Sequence, residues 1–167
     1  MSCRFLSERT RRRSAAILQA RLSDTLDLEF QFRQIQWSFR GSDIRTFCPL
    51  FRALATEARQ IADRIATGIT RLLQTPDLRP ETIARSTALL PFAVDESPER
   101  HIQIVATALI HLSKLIQASA EAARELGDID SFDLLQRLTH QLDLQLWNLR
   151  QRLEETLLPQ TSTVNYH

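Results

Sequence analysis

The stretch that decides the fold class runs from residue 18 to residue 41: Leu18-Gln19-Ala20-Arg21-Leu22-Ser23-Asp24-Thr25-Leu26-Asp27-Leu28-Glu29-Phe30-Gln31-Phe32-Arg33-Gln34-Ile35-Gln36-Trp37-Ser38-Phe39-Arg40-Gly41. Leu18, Leu22 and Leu26, then Leu28, Phe32, Ile35 and Phe39 recur at three and four residues, which is the repeat of one helix face. Gly41 closes the run as a residue that accepts the left-handed backbone at a helix end. A helix is therefore expected from between Ser7 and Ser14 to Arg40.

The same periodicity continues downstream. A second helix is expected from the Ser42-Asp43 capping pair through Phe51, Leu54, Ala58, Ile61, Ile65 and Leu72, with Pro49 predicting a bend or a late start. Between Thr75 and Pro98, Pro76, Pro80 and Pro91 bracket one short helical run, Glu81 to Leu90, inside an extended crossover. A third helix is expected from Ser97 to Leu126, with Ile102, Val105, Leu109, Leu112, Ile116 and Ala123 on one face and Gly127 as its stop. The fourth starts at Ser131 as N-cap and carries Leu135, Leu138, Leu142, Leu146, Leu149 and Leu153 to Pro159. The polar tail Gln160–His167 is expected to be loose.

Composition sets the outer limits. The 167 residues are 43% hydrophobic and 25% charged with three glycines, which suits one helical domain and excludes a sheet-rich chain full of tight turns. No uninterrupted apolar run approaches the roughly 18–20 residues of a spanning helix, and Ala15–Leu18 is too short for a signal sequence. A soluble, unexported, cytoplasmic protein with no membrane partner is expected. Cys3 and Cys48 lack C-x-x-C spacing and read as thiols. His101, His111, His140 and His167 are scattered and read as surface or interface residues. Neither a Ser-His-Asp order, a glycine-rich phosphate loop nor zinc spacing appears, so hydrolase and nucleotide-binding readings have no support.

The net charge of +1 hides an asymmetry. Arg4, Arg9, Arg11, Arg12, Arg13 and Arg21 against Glu8 give residues 1–21 a charge of +5, leaving −4 for the rest. Lys114 is the single lysine, so the cationic character is guanidinium, whose planar fork suits phosphate and carboxylate.

Four sets of residues carry a resemblance: Gln36-Trp37-Ser38-Phe39-Arg40-Gly41, Asp63-Arg64-Ile65-Ala66, Gly127-Asp128-Ile129-Asp130-Ser131-Phe132-Asp133, and Trp147. In order and spacing they resemble the Dps family of DNA-protecting ferritin-like proteins, and Ala84-Arg85-Ser86-Thr87 is similar to that family's short interfacial helix. The resemblance covers roughly residues 20 to 157. It implies an all-α, ferritin-like four-helix bundle with a long crossover containing a short extra helix. It divides the chain into a basic N-terminal arm (1–13), a ferritin-like Dps domain (14–158) and a polar C-terminal tail (159–167). It also implies a hollow homo-oligomer of twelve subunits that oxidises ferrous iron, stores the mineral, protects against oxidative damage and in some members binds DNA.

The family's ferroxidase centre draws two histidines and an aspartate from one chain and an aspartate and a glutamate from its neighbour. Counted along the matched helices, those positions are Gln36, Cys48, Arg52, Asp63 and Thr67 here, and only Asp63 keeps a family ligand type. Iron occupancy and ferroxidase activity are accordingly expected to be low or lost. Two readings of Arg52 stay open: its guanidinium takes the electrostatic place of the metal opposite a neighbour's Asp63, or it points into solvent. Cys48 reads as a small buried residue rather than a zinc ligand. Asp128, Asp130 and Asp133 match the family's three-fold pore, and equally suit the positive end of a helix. Arg9, Arg11, Arg12 and Arg13 match a DNA-contacting tail or a solvated first turn. Trp37 and Trp147 are expected to pack as buried indoles in a bundle or interface layer. The rival reading is a non-catalytic shell protein that binds DNA at the nucleoid or co-assembles with an active Dps paralogue.

Overall fold

In the computed structural model, residues 6–41, 43–93 and 97–157 are described. They form α1 (Glu8–Gln36), α2 (Asp43–Arg71), α3 (Pro80–Ser86), α4 (Pro98–Glu125) and α5 (Ile129–Leu157), and no strand occurs among the described residues. The expected Ser42 cap, Cys3, His167 and the tail 159–167 lie outside them. The all-α expectation holds, as does the order of four long helices with one short helix in the crossover.

Helices α1 and α2 pack as one hairpin and α4 and α5 as another; α1 also packs on α4 and α3, and α2 on α5. The Phe39 ring meets His101 edge-on at 5.9 Å near one end of the bundle. Farther down, Arg21 Nη1 donates to the Leu115 carbonyl at 3.1 Å, so α4 runs antiparallel to α1. The core consists of the apolar positions that the periodicity marks. Leu18, Leu22, Phe32, Ile35, Phe51, Ile61, Ile65, Val105, Leu109, Leu112, Ile116, Leu135, Leu138 and Leu142 are all buried, at about 1.5–3 kcal/mol per large side chain. Leu146 is only half-buried. By length and composition alone α4 is long and apolar enough to cross a membrane. One face of it, with Ile102, Val105, Leu109, Leu112 and Ile116, is buried in the bundle core.

Several boundaries differ from expectation for local reasons. Helix α1 begins at Glu8, where the Ser7 side chain caps the Thr10 amide at 3.1 Å, so Arg9–Arg13 lie in its first turns and not in an arm before it. Glu8 pairs with Arg12 at 2.6 Å, which offsets the cost of cations at a helix start. The helix ends at Gln36, and Gly41, at φ +57°, serves the turn into α2. The short helix spans Pro80–Ser86 rather than Glu81–Leu90. The cap of α5 is Asp128, whose Oδ1 accepts from the Ser131 amide at 3.1 Å; Ser131 itself is already helical. At the end of α2, Leu73 takes the left-handed conformation (φ 60°) that glycine takes at Gly127.

The crossover lies along α1 because α1 carries a polar stripe on that side. Gln19 exchanges two hydrogen bonds with the Asp77 backbone, its amide donating to the carbonyl at 2.8 Å and accepting from the N–H at 2.9 Å. Asp24 Oδ1 accepts the Ala88 N–H at 2.7 Å, Asp27 Oδ2 accepts the Thr87 hydroxyl at 2.7 Å, and Gln31 Oε1 accepts the Phe92 N–H at 2.8 Å. Gln31 also donates to Asp27 at 3.1 Å. From Gln19 with Asp77 at one end to Gln31 with Phe92 at the other, the contacts show the two segments running in the same direction. Burial pushes the Asp24 carboxyl up from its ordinary value, opposed by the Ala88 amide and the Arg21 guanidinium 3.0 Å away.

The stripe makes the crossover's attachment testable. Gln31→Leu leaves the Phe92 N–H without its acceptor and should lower unfolding free energy by about 1–3 kcal/mol, whereas Gln31→Glu keeps an acceptor and should cost less. Urea midpoints together with hydrogen exchange at the Phe92 and Ala88 amides measure both effects.

Candidate metal centre

The five positions implied by the resemblance fall on two helices. Gln36 is the last residue of α1, and Cys48, Arg52, Asp63 and Thr67 lie along α2. Gln36 and Cys48 meet: the thiol donates to the Gln36 carbonyl at 3.2 Å, and both residues are half-buried. Arg52 stands one turn farther along α2 and is exposed. Asp63 is eleven residues beyond Arg52, about 16 Å along the axis at about 1.5 Å per residue. Within one chain it cannot share a ligand with Gln36, Cys48 or Arg52. A single subunit thus brings together the first three positions and leaves Asp63 and Thr67 as a separate pair.

Each of these groups has its own local chemistry. The Thr67 hydroxyl donates to the Asp63 carbonyl at 2.8 Å, a back-bond within the helix. The Asp63 carboxylate, 68% exposed, faces Arg59 Nε at 3.4 Å. Arg59 also approaches Glu29 on α1 at 3.8 Å, and Arg33 approaches the same carboxylate at 3.9 Å. The charges along this face alternate as Arg33, Glu29, Arg59 and Asp63. Glu29 is 5% exposed and its Oε2 accepts no hydrogen bond, so it depends on the two guanidiniums for compensation. Sequence reading passed over Glu29, because a single acid on a mostly apolar helix face gives no signal until the fold brings Arg59 beside it.

A thiol, an amide, a hydroxyl, a guanidinium and one carboxylate are a poor donor set for iron, which takes carboxylate and imidazole. Among the described residues no group of three or more His, Cys, Asp or Glu side chains gathers at a spacing able to hold a metal ion.

Residues 15–158 match the ferritin-like domain. The chain belongs to the ferritin-like domain family. No curated protein sequence matches this ferritin-like chain significantly. Solved structures do. A mutant of Dps1 from Mycobacterium smegmatis superposes with a TM-score of 0.80 at 23% identity, covering 89% of this chain and 99% of that one. The Dps protein of Vibrio cholerae O1, described as a member of a broad superfamily of ferritin-like diiron-carboxylate proteins, gives 0.81 at 17% identity, over 89% and 93%. A Dps protein from Bacillus brevis gives 0.80 at 18% identity, over 89% and 99%. At these identities the likeness is one of fold, and it extends over nearly the whole of each relative.

The other candidate residues of this ferritin-like chain occupy distinct places. Asp128 is buried and committed to capping α5, while Asp130 is half-buried and Asp133 exposed. At the start of α1, Arg11 donates to the Leu6 carbonyl at 2.8 Å and Arg12 pairs with Glu8, whereas Arg9 and Arg13 are exposed. The indoles are not in the bundle core: Trp37 is 74% and Trp147 60% exposed, Trp37 standing at the C-cap of α1 and Trp147 on the outer side of α5. His101 departs from expectation in the other direction. It is 1% exposed, its Nε2 lies 3.2 Å from the Ala93 carbonyl, and it belongs to the core beneath the crossover.

The charge alternation predicts which carboxylate Arg59 serves. Arg59→Met should destabilise the bundle by about 1–3 kcal/mol, because Glu29 loses compensation while staying buried. Asp63→Asn, at an exposed pair, should change stability by less than about 1 kcal/mol. Chemical denaturation of both variants checks the contrast.

Proposed function

We propose that this chain is a Dps-like subunit of a hollow oligomer that handles iron and protects against oxidative damage, with its own ferrous-oxidation step lost or weak. The observation that carries this reading is the coincidence of a full-length Dps-type fold with Gln36, Cys48, Arg52 and Thr67 at four of the five positions where the family places iron ligands. Iron is the cargo in this reading, and Asp63 alone offers it a ligand of the family's type.

Assembly is supported by what the single chain leaves open. Phe30, Trp37, Leu78, Leu90 and Trp147 are large apolar side chains exposed on one subunit, and burying them between copies would remove that surface from water. Twelve subunits, a cytoplasmic location and a pore using Asp130 and Asp133 are carried over from the family likeness. In such an oligomer Arg52 of one chain would face Asp63 of its neighbour, and the guanidinium would supply by a forked hydrogen bond the positive charge that a metal supplies elsewhere. The exposure of both side chains supports this pairing. A second reading, a non-catalytic shell that coats DNA or joins an active Dps paralogue, is favoured by Arg9 and Arg13, which lie exposed near the start of α1.

Stopped-flow oxidation of ferrous iron by peroxide tests the proposal. The wild-type protein should match a buffer control. Combining Gln36→His, Cys48→His, Arg52→Asp and Thr67→Glu should raise the rate at least tenfold, with saturation at a fixed ratio of iron to subunit. A saturable catalysed rate in the wild type would overturn the lost-activity reading, and a 19.2 kDa monomer in light scattering would overturn the shell.

A further inference from the structure

On the side of α2 that faces α5, a cleft of about 500 Å³ is lined by Asp63, Arg64, Thr67 and Arg71 from α2 and by Leu134 and Arg137 from α5. Positions 64, 67 and 71 share one helix face, so two arginines of α2 look across the cleft at a third on the facing helix. Three guanidiniums therefore line one opening, against a single carboxylate.

That carboxylate is already engaged, since Asp63 faces Arg59 at 3.4 Å. Arg64 is fixed across the cleft by donating Nη1 to Gln141 Oε1 on α5 at 2.7 Å, a neutral acceptor that leaves its charge uncompensated and its other N–H groups available. Arg71 and Arg137 are exposed, and neither has an ion-pair or hydrogen-bond partner among the described residues. Asp133 lies one turn before Arg137 on α5 and makes no ion pair with it. Like charges held around one concave surface repel one another and raise the local concentration of anions. Four arginines elsewhere pair with acids at 2.6 Å, Arg12 with Glu8, Arg79 with Asp77, Arg85 with Glu81 and Arg124 with Glu121; what sets this cleft apart is that three arginines of two helices line one opening.

We infer that this cleft is a binding site for a phosphate-type oxyanion, held between α2 and α5 by Arg64, Arg71 and Arg137. Guanidinium forks match the spacing of phosphate oxygens and donate two parallel hydrogen bonds each, and arginine is fully charged at any pH the protein meets. The fixed orientation of Arg64 provides one preorganised arm, while Arg71 and Arg137 close on the ion from opposite helices. The ligand is a small anion, and inorganic phosphate is its simplest form. This site goes beyond iron handling and holds whether or not the chain oxidises iron.

Titration calorimetry of the full chain with inorganic phosphate at low ionic strength tests the inference, with glycerol phosphate as a second probe for a phosphate monoester. Saturable binding at one ion per chain is expected, weakened at least tenfold in Arg71→Gln/Arg137→Gln and unchanged in Arg100→Gln/Arg124→Gln. All these residues are exposed, and circular dichroism of each variant checks that the bundle is intact. Tighter binding of either probe supports the shared chemistry and identifies its source. Absence of saturable binding at millimolar phosphate, or equal affinity in the Arg71/Arg137 variant and the wild type, would overturn it.

Discussion

The structure depends on one arrangement: the polar stripe Gln19, Asp24, Asp27 and Gln31 on α1, which accepts and donates the hydrogen bonds of the crossover. A connection that travels the length of a bundle buries part of its backbone, and each unpaired N–H there costs free energy comparable to a lost hydrogen bond. By satisfying those groups, α1 carries the chain from the end of α2 back to the start of α4. The second hairpin can then enter antiparallel to α1. Because the crossover, α2 and α4 all crowd around α1, α2 meets α5 over only a short stretch. The outer stripe of α2 from Arg52 to Arg71 is left accessible, and every candidate site on α2 beyond Cys48 lies on it.

That stripe shows charge standing where the family likeness leads one to look for metal ligands. Arg52, Arg59, Arg64 and Arg71 outnumber Glu57 and Asp63 along α2, so the helix face is cationic. Iron and arginine compete for the same carboxylates. On this chain the nearest guanidinium to Asp63 is Arg59, one turn away on the same helix. A cationic face repels a ferrous ion and attracts an anion, so the proposed loss of iron ligands and the proposed anion cleft share one physical cause.

Much of the fold was legible because burial demands the repeat of three and four residues. Leu18, Leu22, Phe32, Ile65 and Leu109 could be placed in the core from spacing alone, and they lie there. What escaped the sequence shares a different character. The roles of Asp24 and Gln31 have no local signal, since nothing in the sequence distinguishes water from a backbone amide as their partner. Asp128 and Ser131 are both good capping residues, and only the backbone turn at Gly127 (φ +73°) selects the first. Trp37 and Trp147 read as packed in a bundle or interface layer, and their exposure on the single chain excludes the bundle and leaves the interface. The candidate positions Gln36, Cys48, Arg52, Asp63 and Thr67 come from the family resemblance, and the structure shows only where they stand on α1 and α2. The pairings around them could not be read from sequence, because Arg59 and Glu29 come from separate helices and meet only through packing.

The central claim is that the chain keeps the ferritin-like scaffold while Asp63 no longer belongs to an iron centre. Anomalous scattering at the iron edge, from crystals soaked anaerobically in ferrous iron, tests it most directly. The account predicts no ordered iron at coordinating distance from Asp63, with its carboxylate bound instead by guanidinium. An anomalous peak beside Asp63 that also touches Gln36 or Cys48 of a neighbouring subunit would contradict it.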